Sequence, residues 1–169
     1  NVGVIWFKIH VRGRPFHVRE ASLGSNAIEA AYRLIDALKE LEEDWNRRRS
    51  EFRYFEDLDH PINFNIGKIE GGDWASSVPA WCTMDVRAAI YPGVDPNDAA
   101  REIEACLTAK SRDDPFLAEN PPEVEYNGFF ARGYVLEEGS DAEKTLAQAH
   151  SASFGSNLES FVTPGDLDG

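Results

Sequence analysis

The spacing of apolar residues changes from a period of two to a period of 3.6 and back, which constrains the fold more than any other feature of the sequence. Residues 3–12 alternate between apolar and polar side chains, so they predict a half-buried strand. From Ser25 to Trp45 the apolar residues follow helical spacing, which predicts a long amphipathic helix with Ser25 as its N-cap. Period-two patterns return at 62–69 and 78–90, which predict two further strands.

A second helix and a last strand complete this pattern. Asp95 is a suitable N-cap, and Pro96 stands where the first turn of a helix tolerates proline. Residues 124–130 suit a strand. The order strand, helix, strand, strand, helix, strand predicts an α+β, ferredoxin-like βαββαβ domain over residues 1–132. It has a four-stranded antiparallel sheet with both helices on one face.

Residues 133–169 do not continue this pattern. Ser140 and Glu143 form a capping box, which opens a helix that we expect to end near Gly155. Residues 158–163 suit a short strand. A lone helix and strand cannot bury their own apolar faces, so we interpret this helix-strand tail as a partial segment of a neighbouring domain.

The charge of the chain excludes some classes of partner. Lys and Arg number 17 against 30 Asp and Glu, which gives a formal charge of −13. Nucleic-acid binding requires clustered basic residues, so we expect no such partner. No apolar run has the length of a membrane span, and no signal peptide is visible at the start, NVGVIWF. With Cys82 and Cys106 interpreted as buried, reduced thiols, we expect a cytoplasmic protein.

The sequence lacks the common motifs of nucleophilic and phosphate-binding sites. It contains no G-x-S-x-G, no G-x-G-x-x-G, no Walker A sequence and no C-x-x-C. The histidines do not stand in metal-ligand spacings; they are His10, His17, His60 and His150. We expect His10, His60 and His150 to be structural or solvated. We also expect the acidic pairs Glu42-Glu43 and Glu137-Glu138 to be solvated.

Residues 11–31, VRGRPFHVREASLGSNAIEAA, resemble a known family. It comprises zinc hydrolases such as acetylornithine deacetylase, succinyl-diaminopimelate desuccinylase, aminoacylase and glutamate carboxypeptidase. Their dimerisation (lid) domain opens with a strand, then G-x-x-x-H, a loop and G-x-N-A entering a long helix. The matching residues here are Gly13, His17, Gly24, Asn26 and Ala27. Further matches lie at 64–72, Val78-Pro79, Cys82 and Tyr91-Pro92-Gly93. Residues 71–81, GGDWASSVPAW, look most like the acetylornithine deacetylase-like members.

The resemblance implies that a parent protein hydrolyses an N-acyl bond of an amino acid or small peptide. Two zinc ions, with cobalt as a possible substitute, would lie in a catalytic domain outside this chain, together with the general base. None of those ligands maps onto these residues, so the fragment alone is expected to hold no metal and to be inactive. Residues 163–168 resemble the start of the return into that domain.

The resemblance assigns one site residue, His17. In the family the matching histidine crosses a homodimer into the partner's active site, where it donates a hydrogen bond to the substrate carbonyl and the developing oxyanion. The expected partners are therefore a second copy of the chain and an N-acylated substrate. The alternative is a free-standing ferredoxin-like module that dimerises or senses a small metabolite. The tail at 133–169 favours the first hypothesis, because a self-contained module does not need half of another domain.

Overall fold

A computed structural model describes residues 1–163, and its elements follow the predicted order. The strands are β1 (Gly3–Arg12), β2 (Phe64–Gly71), β3 (Trp81–Ile90) and β4 (Glu123–Ala131). The helices are α1 (Ala27–Arg47), α2 (Pro96–Ser111), α3 (Pro115–Glu119) and α4 (Asp141–Phe154). Two short 3₁₀ helices, Val18–Leu23 and Arg49–Glu51, lie in connections.

The strands form one antiparallel sheet in the order β2-β3-β1-β4. The central pair, β1 and β3, is in continuous register from Gly3 opposite Ile90 to Arg12 opposite Trp81. Each edge strand pairs with its central neighbour with one shift of register. In the pair of β2 and β3 this shift lies between Ile66 and Lys68. This topology confirms the predicted α+β, ferredoxin-like fold.

The core lies between one face of the sheet and the two long helices. Alternate residues of β1 and β3 are buried on that face. The helices add to the same core cluster Leu34 and Leu38 of α1 and Ile103 and Leu107 of α2. The buried strand residues include Ile5, Phe7, Ile9, Val11, Met84 and Val86. Full burial of each large apolar side chain contributes about 1.5–3 kcal/mol, which explains why the two periodicities predict these elements well.

The N-cap of α1 is Asn26, so the predicted cap at Ser25 is wrong by one residue. Asn26 Oδ1 accepts hydrogen bonds from the backbone N–H groups of Ile28 and Glu29 at 2.9 and 3.1 Å. Ser25 instead pairs with Arg14 through backbone hydrogen bonds in both directions. That pairing closes the loop between β1 and α1.

The expectation that Glu42 is solvated is also wrong. Only 6% of its side chain is exposed, against 62% for Glu43. Glu42 Oε1 lies 2.8 Å from His60 Nε2, and Oε2 accepts a hydrogen bond from Lys39 Nζ at 2.6 Å. The connection between α1 and β2 folds back over the helix. Asn46 holds it there through hydrogen bonds with the backbone of Ile62.

The tail contains the predicted helix but not the predicted strand. Ser140 Oγ accepts a hydrogen bond from the backbone N–H of Glu143, and α4 ends at Gly155 with a φ of 69°. Residues 158–163 form no strand, because they have no ladder partner in the described part of the chain. Of the segment 163–168, all but its first residue lies outside the described residues.

The two ends of the ferredoxin-like unit meet. The backbone N–H of Tyr134 donates a hydrogen bond to the carbonyl oxygen of Asn1 at 3.2 Å, and Gly133 packs against Gly3. The chain therefore enters and leaves the unit at one point. Among residues 1–163, no helix combines the length and apolar character that a bilayer crossing demands.

Candidate functional site

The loop after β1 and the turn between β2 and β3 are joined by backbone hydrogen bonds. Gly13 N–H donates to Ala80 O at 2.7 Å, Val78 N–H to Phe16 O at 2.8 Å, and Val18 N–H to Ser76 O at 2.9 Å. These bonds fix the loop on both sides of His17, which itself forms an antiparallel bridge with Ser77. The position of the His17 backbone is therefore set by the sheet.

Gly13 is required by this close approach. A Cβ atom at this position would lie 2.3 Å from the carbonyl oxygen of Pro79 and 2.4 Å from that of Ser25. Both obstacles are backbone atoms, so any other residue would force the loop and the turn apart. This close backbone approach explains why the G-x-x-x-H pattern begins with glycine.

His17 presents one ring nitrogen outward. The backbone N–H of Arg19 donates a hydrogen bond to His17 Nδ1 at 3.2 Å, so that nitrogen carries a lone pair. In the neutral ring the proton is then on Nε2. The side chain is exposed, and within residues 1–163 no group forms a hydrogen bond with Nε2. His17 is therefore a free, oriented hydrogen-bond donor.

Trp74 lies beside His17 and was not singled out by the sequence analysis. The two rings meet edge to face, with centroids 6.1 Å apart and an interplanar angle of 65°. Trp74 is 63% exposed. Its turn is held by a hydrogen bond from Trp81 Nε1 to Asp73 Oδ1 at 3.0 Å. The sequence signal that could have identified Trp74 is its place in a glycine-containing turn. A tryptophan in such a turn does not follow the spacing of core residues.

A cleft of about 650 Å³ opens between this turn, the loop after His17 and the start of α1. Its apolar walls include Val18, Ile28, Trp74, Val78 and Pro79, and Asn26 and Glu29 lie at its polar side. The cleft can bind a small organic group, and His17 adjoins it through its ring contact with Trp74. No carboxylate or nucleophile of the described chain is hydrogen-bonded to the His17 ring, although Glu29 and Asp73 line the cleft.

The remaining histidines lie on separate elements. His10 Nε2 is 3.0 Å from Glu125 Oε2, His60 is bound to Glu42, and His150 Nδ1 is 3.3 Å from the carbonyl oxygen of Ser156. In the portion of the chain that the structure describes, no three His, Cys, Asp or Glu side chains group closely enough to hold a metal ion.

Both cysteines are free thiols. Cys82 is buried, Cys106 is half-buried, and burial raises the pKa of both. Cys82 belongs to the core cluster, Cys106 Sγ donates a hydrogen bond to Ala37 O at 3.3 Å, and neither cysteine lines the cleft.

Two of the curated proteins that resemble the chain are N-formyl-4-amino-5-aminomethyl-2-methylpyrimidine deformylases. The chain is 25% identical to that of Halalkalibacterium halodurans over 173 aligned positions, covering 98% of the chain and 40% of the relative. It is 30% identical to that of Bacillus subtilis over 117 positions, covering 69% of the chain and 27% of the relative. The chain therefore spans less than half the length of these relatives.

Solved structures show the same fold. A tripeptidase from Staphylococcus aureus matches with a TM-score of 0.68 and 15% identity, over 99% of this chain and 39% of that one. An aminopeptidase from Bacillus cereus matches with a TM-score of 0.63 and 16% identity, over 99% and 40%. Residues 1–115 match the family described as the peptidase dimerisation domain, which confirms the resemblance carried by Gly13, His17 and Asn26. The chain belongs to the peptidase dimerisation domain family.

Proposed function

We propose that this chain is the dimerisation (lid) domain of a metal-dependent hydrolase of N-acyl amino acids or small peptides. In this proposal it forms the homodimer and supplies His17 to the partner's active site. The observation that supports it most is Nε2 of His17, which has no hydrogen-bond partner among residues 1–163 and stands on a loop fixed on both sides by the turn between β2 and β3.

His17 would act on charge that develops during the reaction. When water adds to an amide carbonyl, the oxygen becomes an oxyanion, and a donor already aimed at it stabilises the transition state more than the substrate. A donor on a loop whose backbone is already fixed needs little reorganisation at that moment. Loss of such a donor typically costs ~10²–10³-fold in rate.

The bond proposed for cleavage is a linear N-acyl amide. The two curated relatives are named as deformylases of an N-formyl amine, and an N-formyl group belongs to that class. The proposal therefore covers formyl as well as acetyl groups, and the acetylornithine deacetylase-like specificity suggested by residues 71–81 becomes one member of a wider class.

The metal of this proposal, zinc or cobalt, would be held outside this chain. Residues 1–163 contain no fitting group of ligands, so no step here is assigned to the metal. Where bound, a metal of this kind polarises a carbonyl and activates a water. We propose accordingly that the fragment alone is inactive, and that the parent protein works in the cytoplasm with its thiols reduced.

The dimer surface of this proposal is the β2 edge together with α1. Ile28 packs against Gly71 near one end of β2, and Lys39 Nζ donates a hydrogen bond to Phe64 O at 2.6 Å near the other end. Tyr32 falls between these positions on the helix and is 59% exposed. An open edge strand beside an exposed helix stripe suits pairing of two copies by a two-fold axis.

The proposed domain boundaries are 1–132 for the lid and 133–169 for a return segment of the catalytic domain. The meeting of Asn1 and Tyr134 supports them, because an inserted domain must leave where it enters. The free-standing module remains the second hypothesis. It would be favoured if the chain, expressed alone, bound a metabolite as a stable dimer.

The proposal is tested with the full-length parent protein. We expect it to release formate or acetate from N-formyl or N-acetyl amino acids, to lose activity with a chelator and to recover it with zinc or cobalt. The isolated chain should neither retain stoichiometric metal after dialysis nor release acid. Metal-dependent hydrolysis by the isolated chain, or none by the parent, would contradict the proposal.

A further inference from the structure

We propose that Trp74 is the aromatic wall of the substrate site that His17 completes, and that it makes the parent enzyme prefer substrates with a flat, unsaturated ring. This inference rests on the proposed function, because that function places the substrate beside His17. It goes further by naming a second residue that touches the substrate and the kind of group it selects.

The indole of Trp74 lacks the contacts that the fold gives to other tryptophans. Trp45 is 6% exposed and donates from Nε1 to Glu102 at 2.7 Å, and Trp81 donates from Nε1 to Asp73 at 3.0 Å. Trp74 is 63% exposed, and its Nε1 has no hydrogen-bond partner within the described residues. Trp74 also lies beside Val18, Ile28, Val78 and Pro79 in the lining of one cleft, and grouped apolar side chains of this kind mark a contact site.

The backbone that carries the ring is nevertheless held in place. Gly72 takes a φ of 73°, which only glycine adopts readily, and Asp73 is fixed by Trp81. The N–H of Ser77 donates to Trp74 O at 3.1 Å, and Ser76 is bonded to the His17 loop. Turn and loop therefore move as one body. An aromatic side chain on a rigid turn loses little entropy when it binds.

The contact between the two rings places the indole within reach of a small substrate bound at His17. Their centroids are 6.1 Å apart, and Trp74 lines the cleft of about 650 Å³. Covalent bonds advance about 1.5 Å each, so a group two to four bonds from a carbonyl bound at His17 Nε2 reaches the indole. Aromatic rings gain from stacking beyond their buried area, whereas saturated rings of similar size gain only from burial.

The test uses the full-length parent and two matched pairs of substrates. N-formyl- and N-acetyl-phenylalanine are compared with the same derivatives of 3-cyclohexylalanine, which differ only in the aromaticity of the ring. We expect kcat/KM to be about 3- to 10-fold higher for the phenyl compounds, with the difference expressed mainly as a lower KM. Trp74→Leu should abolish the preference, and Trp74→Phe should retain it.

The matched control is Trp6, which is 43% exposed and packs edge-on against Phe129. Trp6→Leu should leave the preference unchanged. An equal preference in the wild type and Trp74→Leu would overturn the inference. An equal fall in kcat/KM for the phenyl and cyclohexyl substrates of Trp74→Leu, together with weakened dimerisation, would also overturn the inference. Trp74 would then be a subunit contact. Cleavage of other N-acyl amino acids but of none of these four compounds would overturn the inference alone, whereas absence of any N-acyl hydrolysis would overturn the proposed function itself.

Discussion

The backbone N–H of Arg19 donates a hydrogen bond to Nδ1 of His17, and this bond decides what the imidazole can do. A nitrogen that accepts from an N–H group cannot carry a proton of its own, so the neutral ring has its proton on Nε2. His17 is thereby prepared as a donor.

The first prediction concerns turnover. In the parent protein, His17→Ala should lower kcat by ~10²–10³-fold, because the donor acts mainly on the oxyanion of the transition state. Metal content and sedimentation should not change. His10→Ala is the control, since His10 lies on the sheet and contacts Glu125. A rise in KM with kcat unchanged would show that His17 serves ground-state binding instead.

The second prediction concerns the glycine that allows the loop and the turn to meet. Gly13→Ala should destabilise the domain by about 1–3 kcal/mol in urea unfolding, because its Cβ meets two backbone carbonyl oxygens. Gly67→Ala is the control, since the nearest atom to its Cβ would be the Asn65 amide nitrogen at 3.4 Å. Equal unfolding midpoints for the two variants would show that the approach at Gly13 is not tight.

The third prediction compares two neighbouring glutamates. Glu42→Ala should cost about 1–3 kcal/mol of unfolding free energy, because it removes a buried acceptor from His60 and Lys39. Glu43→Ala should cost close to nothing, since its side chain is largely exposed. Urea titrations of both variants measure this difference. A small effect at Glu42 would mean that water replaces it easily.

The elements of the fold could be predicted because their signals are local. Burial on one face imposes period two on β1 and β3 and period 3.6 on α1, and these patterns are visible without knowing the partners. Signals of one or two residues were less reliable. Asp114 and Pro115 repeat the start signal of α2 and open the short helix α3, which the predicted order of strands and helices does not include.

Features that depend on distant contacts could not be predicted in this way. The burial of Glu42 requires His60 to fold back over α1, which no periodicity shows. His17 was found through a family pattern, whereas the residues around it come from the turn at 71–79, far away in sequence. The expected strand at 158–163 has a suitable composition, but a strand also needs a neighbour to pair with.

The fourth prediction concerns the dimer surface. Ile69 on β2 is 42% exposed, and Ile69→Lys should weaken self-association of the parent at least about tenfold, because a charge on a pairing edge opposes sheet extension. Phe129→Lys, on the opposite edge strand β4, is the control and should leave association unchanged. Sedimentation over a range of concentrations distinguishes the two. Loss of the dimer only in the β4 variant would move the interface to that edge.

The most direct test of the central claim, that His17 works across the dimer, is complementation between two inactive parents. One carries His17→Ala, and the other lacks the general base of its catalytic domain. After subunit exchange in equal amounts, half of the dimers are mixed, and each has one site with both a base and a partner's His17. Activity should therefore return to roughly a quarter of the wild-type level. If exchange is verified and no activity returns, His17 does not act in the partner's site.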